Sequence, residues 1–155
     1  MVFSRYVLIG FFLLTQLFAS GCQNADDPAD QNQSMAVRHV NARNEATNQT
    51  AANKAKDLLF KKEEVTEVRG ASRDKDIVLA VQVEQFDRFR LKDIEKQSKD
   101  MLKKHFPGYR IEVSTDQKIF WELDKLEQRI ESKKMSDKKL KKRIEKIKKL
   151  MKEKP

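Results

Sequence analysis

The sequence IVLAVQV, at residues 77–83, constrains the fold of this chain more than any other segment. It is rich in β-branched residues and almost uninterrupted in apolar ones, which is typical of a buried strand. A strand of this composition has no face that is suited to water. We therefore predict a central strand that is covered on both sides, or on one side and by a partner on the other.

The segments before this strand predict a helix and a second strand. Apolar residues recur at helical spacing between Ala51 and Leu59, and Val65 and Val68 alternate as a short strand. Residues 70–76 are small or charged, which is typical of a turn. We expect the short strand and the central strand to pair as a hairpin.

The segments after the central strand predict two more helices and a third strand. Pro107 and Gly108 end the first helix, residues 109–114 alternate as a strand, and Ser114 and Gln117 fit a capping box for the second helix. The apolar stripe of that second helix contains Ile119, Leu123, Leu126 and Ile130. The order is α-β-β-α-β-α, which predicts an α+β sandwich with its helices stacked on one face of the sheet.

The N-terminus has the layout of a secretory signal peptide over residues 1–21. One cation, Arg5, precedes an apolar run, and small residues then lead to Cys22, the only cysteine. This order resembles a bacterial lipobox, although Ala19 stands where leucine is usual. The resemblance implies that the Cys22 thiol carries diacylglycerol and anchors the chain to a membrane. The alternative is a free cysteine after an ordinary cleavage site.

The rest of the chain divides into three parts by composition. Residues 22–45 are polar and predict a flexible tether, residues 46–132 form the α+β domain, and residues 133–155 form a basic tail. The tail holds twelve Lys or Arg against three Asp or Glu, which equals the whole net charge of +9. An exported chain meets no DNA or RNA, so nucleic acid is excluded as the partner of this tail.

The tail predicts a long basic amphipathic helix, because apolar residues recur in it every three or four positions. Either one helix continues from the domain through the tail, or the chain bends near residues 132–136 and Ser136 caps a second helix. The tail is expected to order on an anionic lipid or wall polymer or on a partner helix, or else to stay solvated. The residues that would face the membrane or partner are Leu140, Arg143, Ile144, Ile147 and Met151.

The sequence FDRFR, which follows the central strand, admits two interpretations. Phe86, Arg88, Phe89 and Arg90 form a partner-binding corner, because aromatic residues and arginine are favoured at interface centres. Alternatively, the two phenylalanines cap the core and the charges face water.

No motif in the sequence predicts catalysis, a cofactor or a metal site. His39 lies in the predicted tether and His105 at the end of a helix, and neither has a nucleophile or further ligands nearby in sequence. We therefore expect a protein that is not an enzyme. The alternative is an enzyme, or enzyme subunit, that acts on cortex peptidoglycan through a carboxylate pair such as Glu84 and Asp87.

Three segments carry a family resemblance: DIVLAVQV, FDRFRLKDI and FPGYRIEVSTDQKIFWELDKLE. With these segments and its ASGC sequence, the chain resembles the YhcN/YlaJ family of sporulation lipoproteins. VSTDQKI and the lysine-rich extension are similar to the YlaJ-type members. The resemblance implies a lipoprotein of the spore inner membrane that contributes to germination and contacts germination proteins. It implies no active-site residues.

Overall fold

The structure is a computed structural model that describes residues 36–41 and 47–153. A three-stranded sheet lies between helices, and a 3-10 helix joins its second strand to the helix that follows. This arrangement confirms the predicted α+β class and the α-β-β-α-β-α order, extended by one C-terminal helix. The elements are α1 (Thr50–Phe60), β1 (Val65–Arg73), β2 (Asp76–Val83), the 3-10 helix (Gln85–Arg90), α2 (Leu91–His105), β3 (Arg110–Ser114), α3 (Gln117–Glu131) and α4 (Asp137–Lys152).

The strand order in the sheet is β1-β2-β3, with β2 in the centre as predicted. β1 and β2 form an antiparallel hairpin, whereas β2 and β3 are parallel. Parallel neighbours need a crossover connection, and α2 provides it. Leu79 is paired with Gly70 on one side and with Val113 on the other.

The helices cover both faces of the sheet, so the prediction that they stack on one face is wrong. Ile77, Leu79 and Val81 pack in one apolar cluster with residues of α1 and α2. Val78 and Ala80 belong to a second cluster, which contains residues of α3 and α4. Successive side chains of a strand point to opposite faces. Because β2 is apolar at both sets of positions, each face requires its own cover.

Strand β1 is longer than predicted, and the predicted turn at residues 70–76 is wrong in its bounds. Gly70 lies inside β1, and the hairpin turns at Asp74 and Lys75, with Asp74 at a φ of 55°. An added Cβ on Gly70 would lie 2.6 Å from Cδ2 of Leu79. The absence of a side chain at Gly70 therefore allows β1 and β2 to approach closely, and Gly70 is not part of the turn.

The helix cap of α3 also differs from the predicted one. Asp116 is the N-cap residue, and its carboxylate accepts hydrogen bonds from the backbone N–H groups of Lys118 and Ile119 at 2.7 and 3.1 Å. Ser114 ends β3 instead. Asp and Ser are comparable as N-caps, so the strand register rather than propensity selects Asp116.

Residues 36–41, which lie within the predicted tether, are folded onto the domain. Val37 forms a parallel bridge with Val68, and Val40 is buried. The backbone N–H and C=O of Val40 are both hydrogen-bonded to the Asn53 side chain at 3.1 Å. His39 contacts Asp57, with 2.6 Å between Nε2 and Oδ1. Residues 36–41 therefore belong to the domain rather than to a tether.

The chain bends between α3 and α4, which confirms the second of the two predictions for the tail. Lys133 has a φ of 56°, which ends the continuous helix. Ser136 occupies the N-cap position of α4, although its side chain makes no capping hydrogen bond. No helix in the described ranges is long and apolar enough to cross a membrane.

Candidate functional surfaces

The apolar stripe of α4 is packed against the chain's own domain. Leu140, Ile144 and Ile147 are buried in the cluster that covers Val78, and Met151 is partly buried beside them. We correct the prediction that these side chains face a membrane or a partner helix. Helices α3 and α4 together cover the face of the sheet that carries Val78 and Ala80, and the apolar stripe of α4 packs there.

Two ion pairs orient α4 on the domain. Near its start, Asp137 accepts hydrogen bonds from Arg73 at the end of β1. Towards its end, Lys148 donates to Asp76 at 2.9 Å. Asp76 also accepts two 2.7 Å hydrogen bonds from Arg110, and these bonds hold the pKa of Asp76 below its usual value. Both ends of α4 are thus joined to the sheet, and the other lysines of this helix are exposed.

An open groove of about 980 Å³ runs between the end of α3 and the outer side of α4. Seven of its lining residues are cations and one, Glu145, is an acid; Met135 contributes apolar surface to it. We call this surface the basic groove. It is lined by Arg129, Lys134, Met135, Lys139, Lys142, Arg143, Glu145, Lys146 and Lys149.

Most of the positive charge in the basic groove is uncompensated. Arg143 lies 3.8 Å from Glu122, and Lys149 lies 3.6 Å from Glu153. By contrast, no carboxylate in the described ranges lies within 4.0 Å of the ammonium groups of Lys139, Lys142 and Lys146. Like charges that are neighbours on a helix destabilise it. An anionic ligand would remove this repulsion.

The aromatic residues of FDRFR point into solvent. Phe86 and Phe89 in the 3-10 helix are 86% and 84% exposed, so the interpretation that they cap the core is wrong. Arg88 and Arg90 are also exposed, and Arg90 pairs with Asp87 at 3.2 Å. The short 3-10 helix carries its side chains away from the sheet. A cleft of about 250 Å³ lies beside it, lined by Val81, Gln82, Val83, Arg88, Leu91, Thr115, Gln117 and Phe120.

A buried charge cluster lies on the α3 side of β1, and the sequence analysis missed it. The side chains of Lys56 and Glu127 are fully buried and form a 2.8 Å ion pair. Glu127 also accepts the backbone N–H of Gly70 at 2.9 Å. Burial raises the pKa of Glu127 and lowers that of Lys56, although their pairing opposes both shifts. The cluster is completed by Arg38, Arg69 and Asp124.

A signal for this cluster was present in the sequence. Lys56 follows Ala52 by four positions, and Glu127 follows Leu123 by four, so each charge stands within an apolar helical stripe. A charge at such a position requires a buried partner of opposite sign. The Lys56–Glu127 pair is enclosed, Arg38 and Asp124 are partly exposed, and the cluster anchors α1, α3 and the N-terminal segment to β1. We assign it a structural role.

The remaining predicted sites are placed as follows. Cys22 and the signal peptide lie outside the described residues. His105 is at the end of α2, with its Nδ1 3.0 Å from the carbonyl oxygen of Met101. Within residues 36–41 and 47–153, no group of three or more His, Cys, Asp and Glu side chains is arranged to hold a metal ion.

Comparison with known proteins gives one match. The family model described as "Sporulation lipoprotein YhcN/YlaJ" matches residues 23–154, which is most of the chain. The match includes the predicted tether and the basic tail as well as the central domain. No curated protein and no solved structure matches significantly.

Proposed function

Because the chain belongs to the YhcN/YlaJ family of sporulation lipoproteins, we propose that it is a non-enzymatic, membrane-tethered binding protein of the spore. Diacylglycerol on Cys22 would anchor it at the extracytoplasmic face of the spore inner membrane. From there the domain would bind an anionic, phosphate-rich surface and thereby support germination and its protein machinery. The observation that carries the proposal is the basic groove.

The groove suits such a ligand for three reasons. Its cations come from α3, the connecting loop and α4. Their positions are therefore fixed by the fold, unlike those of cations along an unfolded basic tail. The burial of the apolar stripe and the pairs at Asp76 and Asp137 fix which side of α4 faces outward. Each basic residue close to an anionic membrane contributes about 1 kcal/mol. Three unpaired lysines therefore contribute about 3 kcal/mol, a factor of about 150 in affinity.

Deletion of the tail is not a suitable test, because α4 supplies buried core residues. Charge reversal leaves the core intact. The test variant is Lys139→Glu, Lys142→Glu and Lys146→Glu in a chain that starts at residue 23. A matched control carries Lys54→Glu, Lys104→Glu and Lys118→Glu, which are exposed positions on three other helices. Both variants have the same net charge.

Co-sedimentation with phosphatidylglycerol vesicles, and isothermal titration with a soluble poly(glycerol phosphate), distinguish the two sources of phosphate. Because each substitution reverses a charge, we expect the groove variant to lose more than about a hundredfold in affinity for at least one of them, and the control to lose much less. Equal losses in both variants, or no binding by the unmodified chain, would refute the proposal. Clearing of cortex peptidoglycan by the purified chain would refute its non-enzymatic part.

A further inference from the structure

The 3-10 helix Gln85–Arg90 presents two phenylalanine rings as one ridge. A 3-10 helix has three residues per turn, so side chains three positions apart lie one above the other. Phe86 and Phe89 have this spacing. Asp87 and Arg90 have it too, and their 3.2 Å ion pair shows that the alignment is realised. The two rings therefore share one side of the helix.

The ridge is held in a fixed position. It lies between the end of β2 and the start of α2, two elements that belong to the core. The backbone N–H of Glu84 donates to the carbonyl of Glu64 at 3.0 Å, and that of Asp87 donates to Glu84 at 3.0 Å. The rings are thus presented on a supported platform.

The rings have almost no contact with the rest of the protein. Their exposures of 86% and 84% exceed that of Trp121, at 56%, the third large exposed apolar residue among the described ones. Single exposed apolar residues are ordinary, whereas contiguous exposed apolar surface is characteristic of interaction sites.

The charges around the ridge cancel, so it offers nothing to attract a charged partner from a distance. The apolar rings are therefore the attractive element. Arginines beside them are suited to contact lipid phosphates once the rings are inserted. The acids are Glu84, Asp87 and Asp93, and the bases are Arg88, Arg90 and Lys92.

The length of chain between the predicted anchor and the domain keeps the domain close to the bilayer. Cys22 precedes Ala36, the first described residue, by 14 positions. Whatever its conformation, a backbone of that length spans at most about 50 Å. We propose that the 3-10 helix is a wedge that inserts Phe86 and Phe89 into the interface of the bilayer carrying the lipid anchor. This inference rests on the proposed membrane tether. It adds a second, apolar contact that differs from the basic groove.

The two contacts differ in their response to salt. Binding through lysines of the basic groove is screened as ionic strength rises. Burial of phenylalanine rings is not, and phenylalanine is among the residues that place amphipathic elements at the headgroup boundary. The wedge therefore determines the part of membrane binding that persists at high salt.

The depth of the wedge is measured on the full lipoprotein, purified from membranes with its lipid and reconstituted in phosphatidylglycerol–phosphatidylethanolamine vesicles. In a Trp121→Phe background, Phe86→Trp places the only indole on the ridge. A matched protein carries Lys104→Trp, an exposed position at the far end of α2. We expect the emission of the indole at position 86 to shift to the blue on insertion and to be quenched by brominated acyl chains, and that of the indole at position 104 to show neither change. Equal quenching at both positions would overturn the proposal.

A second measurement uses the chain from residue 23, which lacks the anchor. At high salt we expect Phe86→Ser with Phe89→Ser to reduce vesicle binding about tenfold or more, while Phe86→Leu with Phe89→Leu retains most of it. Both changes lie at exposed positions, so folding should be preserved, and thermal unfolding checks this. Unchanged binding by the serine variant, or a lipid-free dimer that this variant abolishes, would overturn the wedge.

Different experimental results would refute the wedge and the proposed function. Recovery of the chain from the soluble fraction, with an unmodified Cys22, would refute the tether but leave the anchor-free vesicle assay valid. Groove variants that bind normally at low salt would refute the role of the basic groove and leave the depth measurement unaffected.

Discussion

Glu127→Gln should destabilise this protein more than Lys56→Met, although both remove one partner of the same ion pair. In the structure, Oε1 of Glu127 accepts both the Lys56 ammonium and the Gly70 N–H, whereas Oε2 makes no hydrogen bond with the described residues. A glutamine side chain keeps Oε1 and therefore keeps both hydrogen bonds. The substitution removes the negative charge and turns Oε2 into an amide NH2 group, while these two bonds remain.

The charge balance of the buried cluster predicts the order of the two variants. Three cations and two anions form the cluster, and Oε2 of Glu127 lies 3.8 Å from both Arg38 and Arg69. Glu127→Gln leaves the cluster two charges positive and places an amide N–H group beside these guanidinium groups. Lys56→Met leaves it neutral but removes the hydrogen bonds that the ammonium donates to Glu127 and to the Arg38 carbonyl. Glu67, at 3.4 Å from Arg69, is partly exposed and compensates little.

The expected magnitudes follow from this asymmetry. Removal of one partner from a buried pair costs about 3–5 kcal/mol when an uncompensated charge remains. Loss of a buried hydrogen-bond partner costs about 1–3 kcal/mol. The 113 described residues suggest a free energy of unfolding of about 6–17 kcal/mol. Glu127→Gln therefore removes a substantial fraction of the stability, and Lys56→Met removes less.

Urea unfolding at pH 7, followed by circular dichroism, measures both variants and the double variant. Adding Lys56→Met to Glu127→Gln restores the original net charge of the cluster, so the double variant should be more stable than the sum of the two losses predicts. We expect a coupling energy of about 1–3 kcal/mol. Additive losses, or a greater loss in Lys56→Met, would show that the charge balance does not govern the cluster.

Two further variants test other features of the fold. Gly70→Ala places a Cβ 2.6 Å from Leu79 Cδ2, and overpacking of this kind should cost about 1–3 kcal/mol in urea unfolding; a change within error would contradict the close approach of the strands. Asp76→Asn should lower Tm by a few degrees at pH 7. The pKa of Asp76 is below its usual 3.8, chiefly through Arg110, so its contribution is present above about pH 4 and is lost as pH falls further. The difference in Tm between the two proteins should therefore shrink at pH 3, and a constant difference would contradict this linkage.

The spacing of apolar residues, every two positions in strands and every three or four in helices, was sufficient to predict most of the fold. Residues 77–83 form the central strand, and the helices that contain Leu91 and Leu123 lie where helical spacing places them. The errors concern positions where pairing between strands overrides the conformational preference of the single residue. Gly70 has the propensity of a turn, but pairing with Leu79 keeps it in β1. Ser114 has the propensity of a cap, but pairing with Ala80 keeps it in β3.

The candidate surfaces were less predictable than the elements that carry them. The amphipathic pattern of α4 identified Leu140, Ile144 and Ile147 as one face, yet a pattern does not say what that face contacts. Similarly, Phe86 and Phe89 were recognised as a pair, but their exposure depends on the 3-10 helix that carries them outward. Arg129 and Lys134 join the basic groove only because the chain bends near Lys133.

The sequence by itself determined the composition of each part: an apolar central strand, a tail that holds the whole net charge, and the family to which the chain belongs. These properties are local or additive along the chain. Only the tertiary structure decided which surfaces remain free. Burial of the α4 stripe and the pairing of Lys56 with Glu127 depend on residues that are distant in sequence. These contacts contribute to stability only after folding has brought the residues together. The same packing leaves the basic groove and the two phenylalanine rings exposed to solvent.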